Sequence, residues 1–307
     1  MTSKTKMGNG MLGGTLLGHI AAIVTVAMWG YSFVSSKVLL ENGMGPTQIY
    51  VCRFILAYLL ILLLSHKRLF SDSWRDEISF AICGLCAGSI YFIAENTALE
   101  YTLTTNVSLL TSMSPLITAL LAGMVYKTEK IGRGMIAGSM IAVCGVACVV
   151  FNSSSALEIR PLGDFLSLAA AFSWSVYSLI LRRLNVVYDV WFISRKTFFY
   201  GLVTAIPFLL FESGDVNVFE VIGRPAVWGN LIFLGVGAST VAYVLWAQTV
   251  KKVGAVKANN YMYLQPIVTL AVSALVLGEH VSIVGYAGIA LILGGLWFGD
   301  YIGKKQA

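Results

Sequence analysis

Charged residues are scarce in this sequence. Asp, Glu, Lys and Arg together make up 12% of its 307 residues, whereas soluble globular proteins carry about 25%. In contrast, 57% of the residues are hydrophobic, and the mean hydropathy is +0.79. Because a soluble chain needs polar side chains to cover its core, this composition excludes a soluble globular protein and predicts a membrane protein.

The sequence also has none of the short motifs that mark common enzymes and cofactor sites. It contains no Walker loop, no H-E-x-x-H and no G-x-S-x-G. Its five cysteines all fall within apolar segments, and the pair in Cys83-Gly-Leu-Cys86 has no histidine close in sequence. We therefore predict no enzymatic activity, no cofactor, no metal site and no disulfide framework.

The net charge of +6 is distributed unlike a nucleic-acid-binding patch. Lys and Arg fall mainly at the two ends and at every second break between apolar segments, while Asp and Glu mark the other breaks. Cytoplasmic loops of membrane proteins are the basic ones. We therefore expect no nucleic-acid partner, a place in a bacterial cytoplasmic (inner) membrane, and both termini in the cytoplasm.

Ten apolar segments of about 20 residues are each long enough to cross a bilayer core of about 30 Å. They do not show the alternation of apolar and polar residues that membrane strands require. The predicted fold class is therefore an all-α membrane protein with ten transmembrane helices. The predicted spans are 14–36, 46–64, 77–98, 103–125, 132–151, 162–181, 190–211, 227–249, 256–277 and 282–301.

The second half of the sequence repeats the first. The segment SPLITALLAGMVYKTE is echoed by QPIVTLAVSALVLGE, and flanking residues match as well. So long a period indicates a duplicated unit rather than a solenoid. The predicted domains are residues 1–152 and 160–307. The matching pairs are Pro115 with Pro266, Glu129 with Glu279, Trp29 with Trp174, Gly138 with Gly288, and Gly145 with Gly295.

The two predicted repeats have opposite orientations in the membrane. Each has five spans, an odd number, so the second repeat must enter from the other side. Basic residues follow the first proline-containing span and precede the second one: Lys127, Lys130 and Arg133, against Lys251, Lys252 and Lys257. Inverted repeats typically hold a substrate site near the membrane midplane and give alternating access as one half rocks against the other. The pattern favours a transporter.

Several motifs carry a resemblance to a known family. They are W-G-x-x-F-x-x-x-K from Trp29 to Lys37, A-L-x-Y-T from Ala98, and the mid-helix Pro115 followed by Glu129. In order and spacing they resemble the drug/metabolite transporter superfamily, specifically its EamA-type carriers, over residues 17–301. The resemblance implies a ten-helix carrier of five-plus-five inverted repeats, with a central cavity lined by helices 1, 3, 4, 6, 8 and 9. It also implies export of amino acids, metabolites or drugs.

Aromatic and polar side chains on the helices expected to line this cavity are the candidate substrate-binding residues. Aromatic walls suit flat or amphipathic cargo, and their ring faces attract cations. Trp and Tyr also form interfacial belts and helix contacts, an alternative that the sequence leaves open. The candidates are Trp29, Tyr91, Glu95, Asn106, Trp174, Tyr243, Trp246, Tyr261 and Gln265.

Glu95 departs from the uncharged stretch that the resemblance leads us to expect, and the second repeat has Trp246 in its place. We expect it about one turn inside the outer end of helix 3, one turn after Tyr91. One interpretation is that Glu95 binds an amino group of the substrate or takes up a proton during turnover. The other is a carboxylate solvated at the membrane interface or capping a neighbouring helix.

Two prolines and one arginine complete the candidates. Pro115 and Pro266 each remove a backbone hydrogen bond in mid-helix, so they are the predicted hinges. Arg53 lies roughly 10 Å into helix 2. It would attract a substrate carboxylate, but a structural pair or a snorkelling side chain is the preferred interpretation, with Lys196 at the matching place in helix 7.

The predicted function is a secondary transporter that exports small amphipathic metabolites, such as amino acids, through a central cavity by alternating access. Its partners are a small-molecule substrate and the lipid bilayer, proton coupling through Glu95 is a hypothesis, and the protein is a monomer or a homodimer. The alternative is a nucleotide-sugar or phosphometabolite antiporter. That function needs a basic cavity, and only Arg53, Arg195 and Lys196 are expected within the membrane.

Overall fold

Helices make up all the regular structure in the part of the chain that the computed structural model describes, as the composition predicts. The described residues are 2–66, 68–125, 133–150, 161–212, 218–278 and 282–306. The matched acids Glu129 and Glu279 lie outside these residues, as do Lys127 and Lys130 of the charge pattern. The predicted ends of the spans at 132 and 151 lie outside them as well.

The helices follow the order of the predicted spans. A single turn at Val218–Val221 precedes the eighth. The helices are α1 (Thr2–Glu41), α2 (Pro46–Leu64), α3 (Trp74–Tyr101), α4 (Thr104–Val125), α5 (Arg133–Val150), α6 (Pro161–Val187), α7 (Val190–Phe211), α8 (Pro225–Val253), α9 (255–276) and α10 (Ile283–Gln306).

Six described helices are long and apolar enough to cross a membrane, which confirms six of the ten predicted spans. They are α1 from Leu16 onwards, α2, α3, α4, α6 and α8. Helix α7 has 22 residues, but Arg195 and Lys196 lower its mean hydropathy. Helix α9 is interrupted, and the apolar parts of α5 and α10 are shorter, at Ile136–Gly145 and Ile283–Gly299. The chain is a multi-pass membrane protein.

Matched helices of the two repeats are irregular in the same way. Helices α3 and α8 each contain a π-helical segment, Leu85–Ser89 and Phe233–Val241. Such segments leave backbone carbonyls without their usual partners and are frequent at functional sites. No feature of the residue pattern predicted them.

Helices α4 and α9 are each interrupted just before a proline. The first α-helical part of α4 ends at Thr111, and the second begins at Ser114, one residue before Pro115. In α9 a 3₁₀ turn ends at Leu264, two residues before Pro266. Each proline therefore lies in the first turn of a new helical segment, where a missing N–H is harmless. This corrects the expectation that the prolines remove hydrogen bonds in mid-helix.

Helices α5 and α10 pack against each other through glycines. Gly138 lies against Gly295 and Gly299, and a Cβ added at Gly138 would come 2.8 Å from the Gly299 Cα. Gly145 lies against Gly288, where an added Cβ would come 2.6 Å from the carbonyl oxygen. The order of these contacts shows that the helices run in opposite directions. These glycines thus serve packing within the chain.

Helices α2 and α7 form a second antiparallel pair, joined at both ends. At one end the Glu212 carboxylate accepts hydrogen bonds from the backbone N–H groups of Thr47 and Gln48, at 2.8 and 3.1 Å. These groups belong to the first turn of α2, where a negative charge is stabilised. At the other end Arg195 of α7 donates to the carbonyl oxygen of Ser65, the residue that follows α2, while the neighbouring Lys196 forms a largely buried ion pair with Glu77 of α3. Each contact joins one repeat to the other.

Candidate functional site

An aromatic cluster occupies the place where the two repeats meet. Trp29 of α1 and Trp174 of α6, which match each other in the duplication, contact edge to face with ring centroids 5.0 Å apart. Trp246 of α8 lies 5.0 Å from Trp29, and Tyr243 lies 5.9 Å from both Trp29 and Trp174. All four side chains are buried. The cluster thus unites residues that are far apart in sequence.

Hydrogen bonds to the π-helical segments position this cluster. The Trp29 Nε1–H donates to the Ala238 carbonyl oxygen at 2.9 Å, within the π segment of α8. The Tyr243 hydroxyl donates to the Ala87 carbonyl oxygen at 2.6 Å, within the π segment of α3. Each repeat therefore provides an aromatic donor for a carbonyl of the other repeat. These bonds fix the ring planes at the centre.

A small cavity lies beside the cluster, with room for about one water molecule. Five predicted site residues line it, joined by three that the sequence did not single out. Ser32 stands one turn after Trp29, and Phe92 directly follows Tyr91. Their closeness to predicted site residues could therefore have identified them as lining residues from the sequence. The lining residues are Trp29, Ser32, Tyr91, Phe92, Glu95, Trp174, Met262 and Gln265.

Glu95 is the acidic group of the cavity. Its side chain is only 2% exposed, and α3 continues beyond it to Tyr101, so it lies deeper than expected. It interacts with the Tyr91 hydroxyl and with the charge of Arg53. Its Oε1 atom has no hydrogen-bond partner among the described residues. The arrangement is unlike that of a carboxylate solvated at the membrane interface.

Further polar atoms at the site also have no partner within the described ranges. They are Nε1 of Trp174, Nε1 of Trp246 and Oε1 of Gln265. In native proteins the large majority of buried polar atoms are hydrogen-bonded, and exceptions require an explanation. A ligand with both donor and acceptor groups would satisfy them.

Two predicted site residues lie elsewhere. Asn106 is half-buried at the start of α4, where its Nδ2 donates to the Thr102 hydroxyl at 3.4 Å. Tyr261 lies in the 3₁₀ turn of α9, and its hydroxyl is 2.5 Å from Nδ1 of His19. The other seven candidates line the cavity or contact Trp29. Pro266 directly follows the lining residue Gln265, and both Pro115 and Pro266 lie in the first turn of a helical segment.

The sequence profile of the EamA-like transporter family matches residues 16–151 and 161–298. The chain belongs to this family. Both halves match the same profile, so the duplication is a pair of EamA repeats, and the resemblance to the drug/metabolite transporter superfamily is confirmed. Members of the family are transporters and not enzymes, which confirms the prediction of no enzymatic activity.

Named relatives are bacterial transporters. The chain is 25% identical to a Salmonella typhimurium protein named "Probable amino-acid metabolite efflux pump", covering 90% of this chain and 92% of that protein. It is 26% identical to a "Probable terminal-alkyne amino-acid exporter" of Streptantibioticus cattleyicolor, covering 90% and 91%. An "Uncharacterized transporter" of Clostridium kluyveri is 25% identical, covering 94% of each chain.

A solved structure supports the fold. It is 19% identical, has a TM-score of 0.66, and covers 96% of this chain and 98% of its own. At this identity the likeness concerns the fold alone. Together the observations describe an EamA-type transporter that acts on small molecules across the cell membrane. The described residues that line the cavity include an acid and no basic residue, so the nucleotide-sugar or phosphometabolite alternative is not favoured.

Proposed function

We propose that this transporter exports amino acids and similar small amphipathic metabolites through the cavity at Trp29 and Trp174. The observation that carries the proposal is a single buried carboxylate, Glu95, set among aromatic rings. An ammonium group would bind the carboxylate and the ring faces, while an apolar side chain would pack on the indoles. The names of the Salmonella and Streptantibioticus relatives point to the same class of cargo.

Transport by alternating access follows from an inverted arrangement of the repeats. In the duplication Gly138 matches Gly288 and Gly145 matches Gly295, whereas in the structure Gly138 contacts Gly295 and Gly145 contacts Gly288. Each contact thus maps onto the other when the repeats are interchanged, and the matched helices α5 and α10 run antiparallel. Both features support a twofold relation in the membrane plane. The site then lies on the interface between two halves that rock against each other. With basic residues marking the cytoplasmic side, we place both termini in the cytoplasm.

The first test is counterflow into proteoliposomes preloaded with unlabelled phenylalanine or leucine. We expect labelled amino acid to enter about tenfold faster than into protein-free liposomes, a difference well outside assay error. Liposomes loaded with a nucleotide sugar should show no exchange. Exchange of nucleotide sugars without exchange of amino acids would contradict the proposal.

Proton coupling is tested by replacing Glu95 with glutamine. The variant keeps the shape of the side chain but cannot take up a proton, so its uptake should become independent of pH between neutral and mildly acidic buffer, whereas uptake by the parent changes. Arg53, Tyr91 and Tyr243 surround this carboxylate and are present in both proteins. Glu41→Gln, at an exposed position at the end of α1, is the matched control and should keep the parental profile. A parent that shows no pH dependence refutes the coupling.

A further inference from the structure

Arg53 and Lys196 occupy matching places in α2 and α7, yet only Lys196 has a counter-ion in contact. The Lys196 ammonium pairs with Glu77 and also donates to the Leu69 carbonyl oxygen at 3.2 Å. Arg53 is entirely buried, and its Nε donates to the Ser239 hydroxyl at 3.0 Å. Neither of its Nη atoms has a hydrogen-bond partner among the described residues. A structural ion pair therefore explains Lys196 and does not explain Arg53.

The guanidinium of Arg53 is close to the cavity without lining it. Its Cζ lies 4.4 Å from the ring centroid of Phe92, and Phe92 itself lines the cavity. Glu95, one turn further along α3, lies within range of the Arg53 charge. The site thus holds one buried cation and one buried anion, each with unpaired atoms that face no solvent.

The charges of these two residues balance each other. An isolated ion inside a protein is strongly unfavourable, and interactions between buried charges are screened little by salt. A cationic ligand at Glu95 would leave the positive charge of Arg53 without a compensating negative charge. An anionic ligand drawn to Arg53 would leave the negative charge of Glu95 without a compensating positive charge. A zwitterion keeps the sum at zero and offers an opposite charge to each residue.

We infer that Arg53 is a specificity-determining residue that, opposite Glu95, restricts the cargo to zwitterions. The ammonium group of the substrate lies towards Glu95, and its carboxylate lies towards Arg53. Arg53 acts across the Phe92 ring, through its charge, as a positioning residue. This inference rests on the proposed function, and it adds which charge state of an amino compound is accepted.

The test uses ligands of one shape and three charges. They are L-phenylalanine, phenethylamine and 3-phenylpropionate, with leucine, isoamylamine and 4-methylpentanoate as a second set. A ligand that binds the folded protein raises its apparent melting temperature by mass action. In titrations of detergent-purified parent we expect each zwitterion to bind more tightly than its amine or its acid by about tenfold or more.

Removing the Arg53 charge should change the order of affinities. In Arg53→Gln we expect the amines to become the tightest ligands, while Arg53→Lys should restore the preference for zwitterions in part. Lys196→Gln removes the matching cation and should lower the melting temperature without changing the order, because Lys196 does not interact with the cavity. A merely structural Arg53 would change stability and leave the order as it was.

The outcomes separate the two proposals. If Arg53→Gln and the parent rank the three charge states alike, the inference is overturned while amino-acid export stands. If Arg53→Gln does not fold, Arg53→Lys and the parental ranking decide, since equal binding of amine and zwitterion by the parent also overturns it. If no amino acid stabilises the parent and none is exchanged in proteoliposomes, the proposed function fails, and the inference fails with it.

Discussion

Trp29→Ala is expected to abolish transport and to lower the free energy of unfolding by about 3–5 kcal/mol, the usual cost of truncating a large buried aromatic residue. Trp29 contacts Trp174, Trp246 and Tyr243, so its removal takes ring contacts from three neighbours at once. It also leaves the Ala238 carbonyl oxygen without its donor. Proteoliposome counterflow measures the transport, and thermal unfolding of the purified protein measures the stability.

The chain provides a matched control for this truncation. Trp297 of α10 is 68% exposed and stacks only on Tyr301 among the ring contacts of the described residues. We expect Trp297→Ala to transport like the parent and to lose less than about 1 kcal/mol, as is usual for exposed sites. Trp29→Phe separates the two roles of the indole, because it keeps a ring and loses the donor. A fully active Trp29→Ala variant would show that the cluster is only a packing core.

Gly138→Leu is expected to leave little or no folded protein. Any side chain at this position meets the backbone of α10, which cannot move aside as a flexible side chain would. Overpacking of a well-packed interior costs about 1–3 kcal/mol and more when backbone must shift. The two helices would separate along their whole contact. Size-exclusion chromatography of detergent-solubilised protein shows the loss as aggregated or absent material.

Gly294→Leu is the control for this insertion. A Cβ at Gly294 meets nothing within 4 Å, so a leucine there should face lipid without strain. We expect yield and elution like those of the parent. A monodisperse, stable Gly138→Leu protein would mean that α5 and α10 do not need their close approach.

Much of the fold could be predicted from the residues because a duplication repeats its constraints. The duplication matches Gly138 with Gly288 and Gly145 with Gly295, and the structure packs α5 against α10 through these glycines. The matched tryptophans are both candidates for substrate binding, and Trp29 contacts Trp174 directly. Hydropathy predicted more spans than the described helices confirm. It cannot distinguish a long regular helix from one that is interrupted, as in α9, because a 3₁₀ turn has the same composition.

The contacts of single polar residues could not be predicted in this way. Sequence spacing placed Arg53 and Lys196 alike, yet tertiary packing gives a counter-ion to one and not to the other. Tyr261 stands on α9, which lines the cavity through Met262 and Gln265, yet its hydroxyl lies beside His19, and Asn106 stands on α4, none of whose described residues lines the cavity. The π segments that hold Trp29 and Tyr243 carry no sequence signal here. Such details depend on neighbours that only the folded chain brings together.

The pairing of α5 with α10 also has a consequence for biosynthesis, because the two helices are made at different times. Helix α5 is synthesised about 150 residues before α10, which corresponds to roughly eight to thirty seconds at about 5–20 residues per second. During that delay its glycine face lacks the partner that it contacts in the folded chain. The first repeat therefore stays in the membrane without this packing partner until α10 has been inserted.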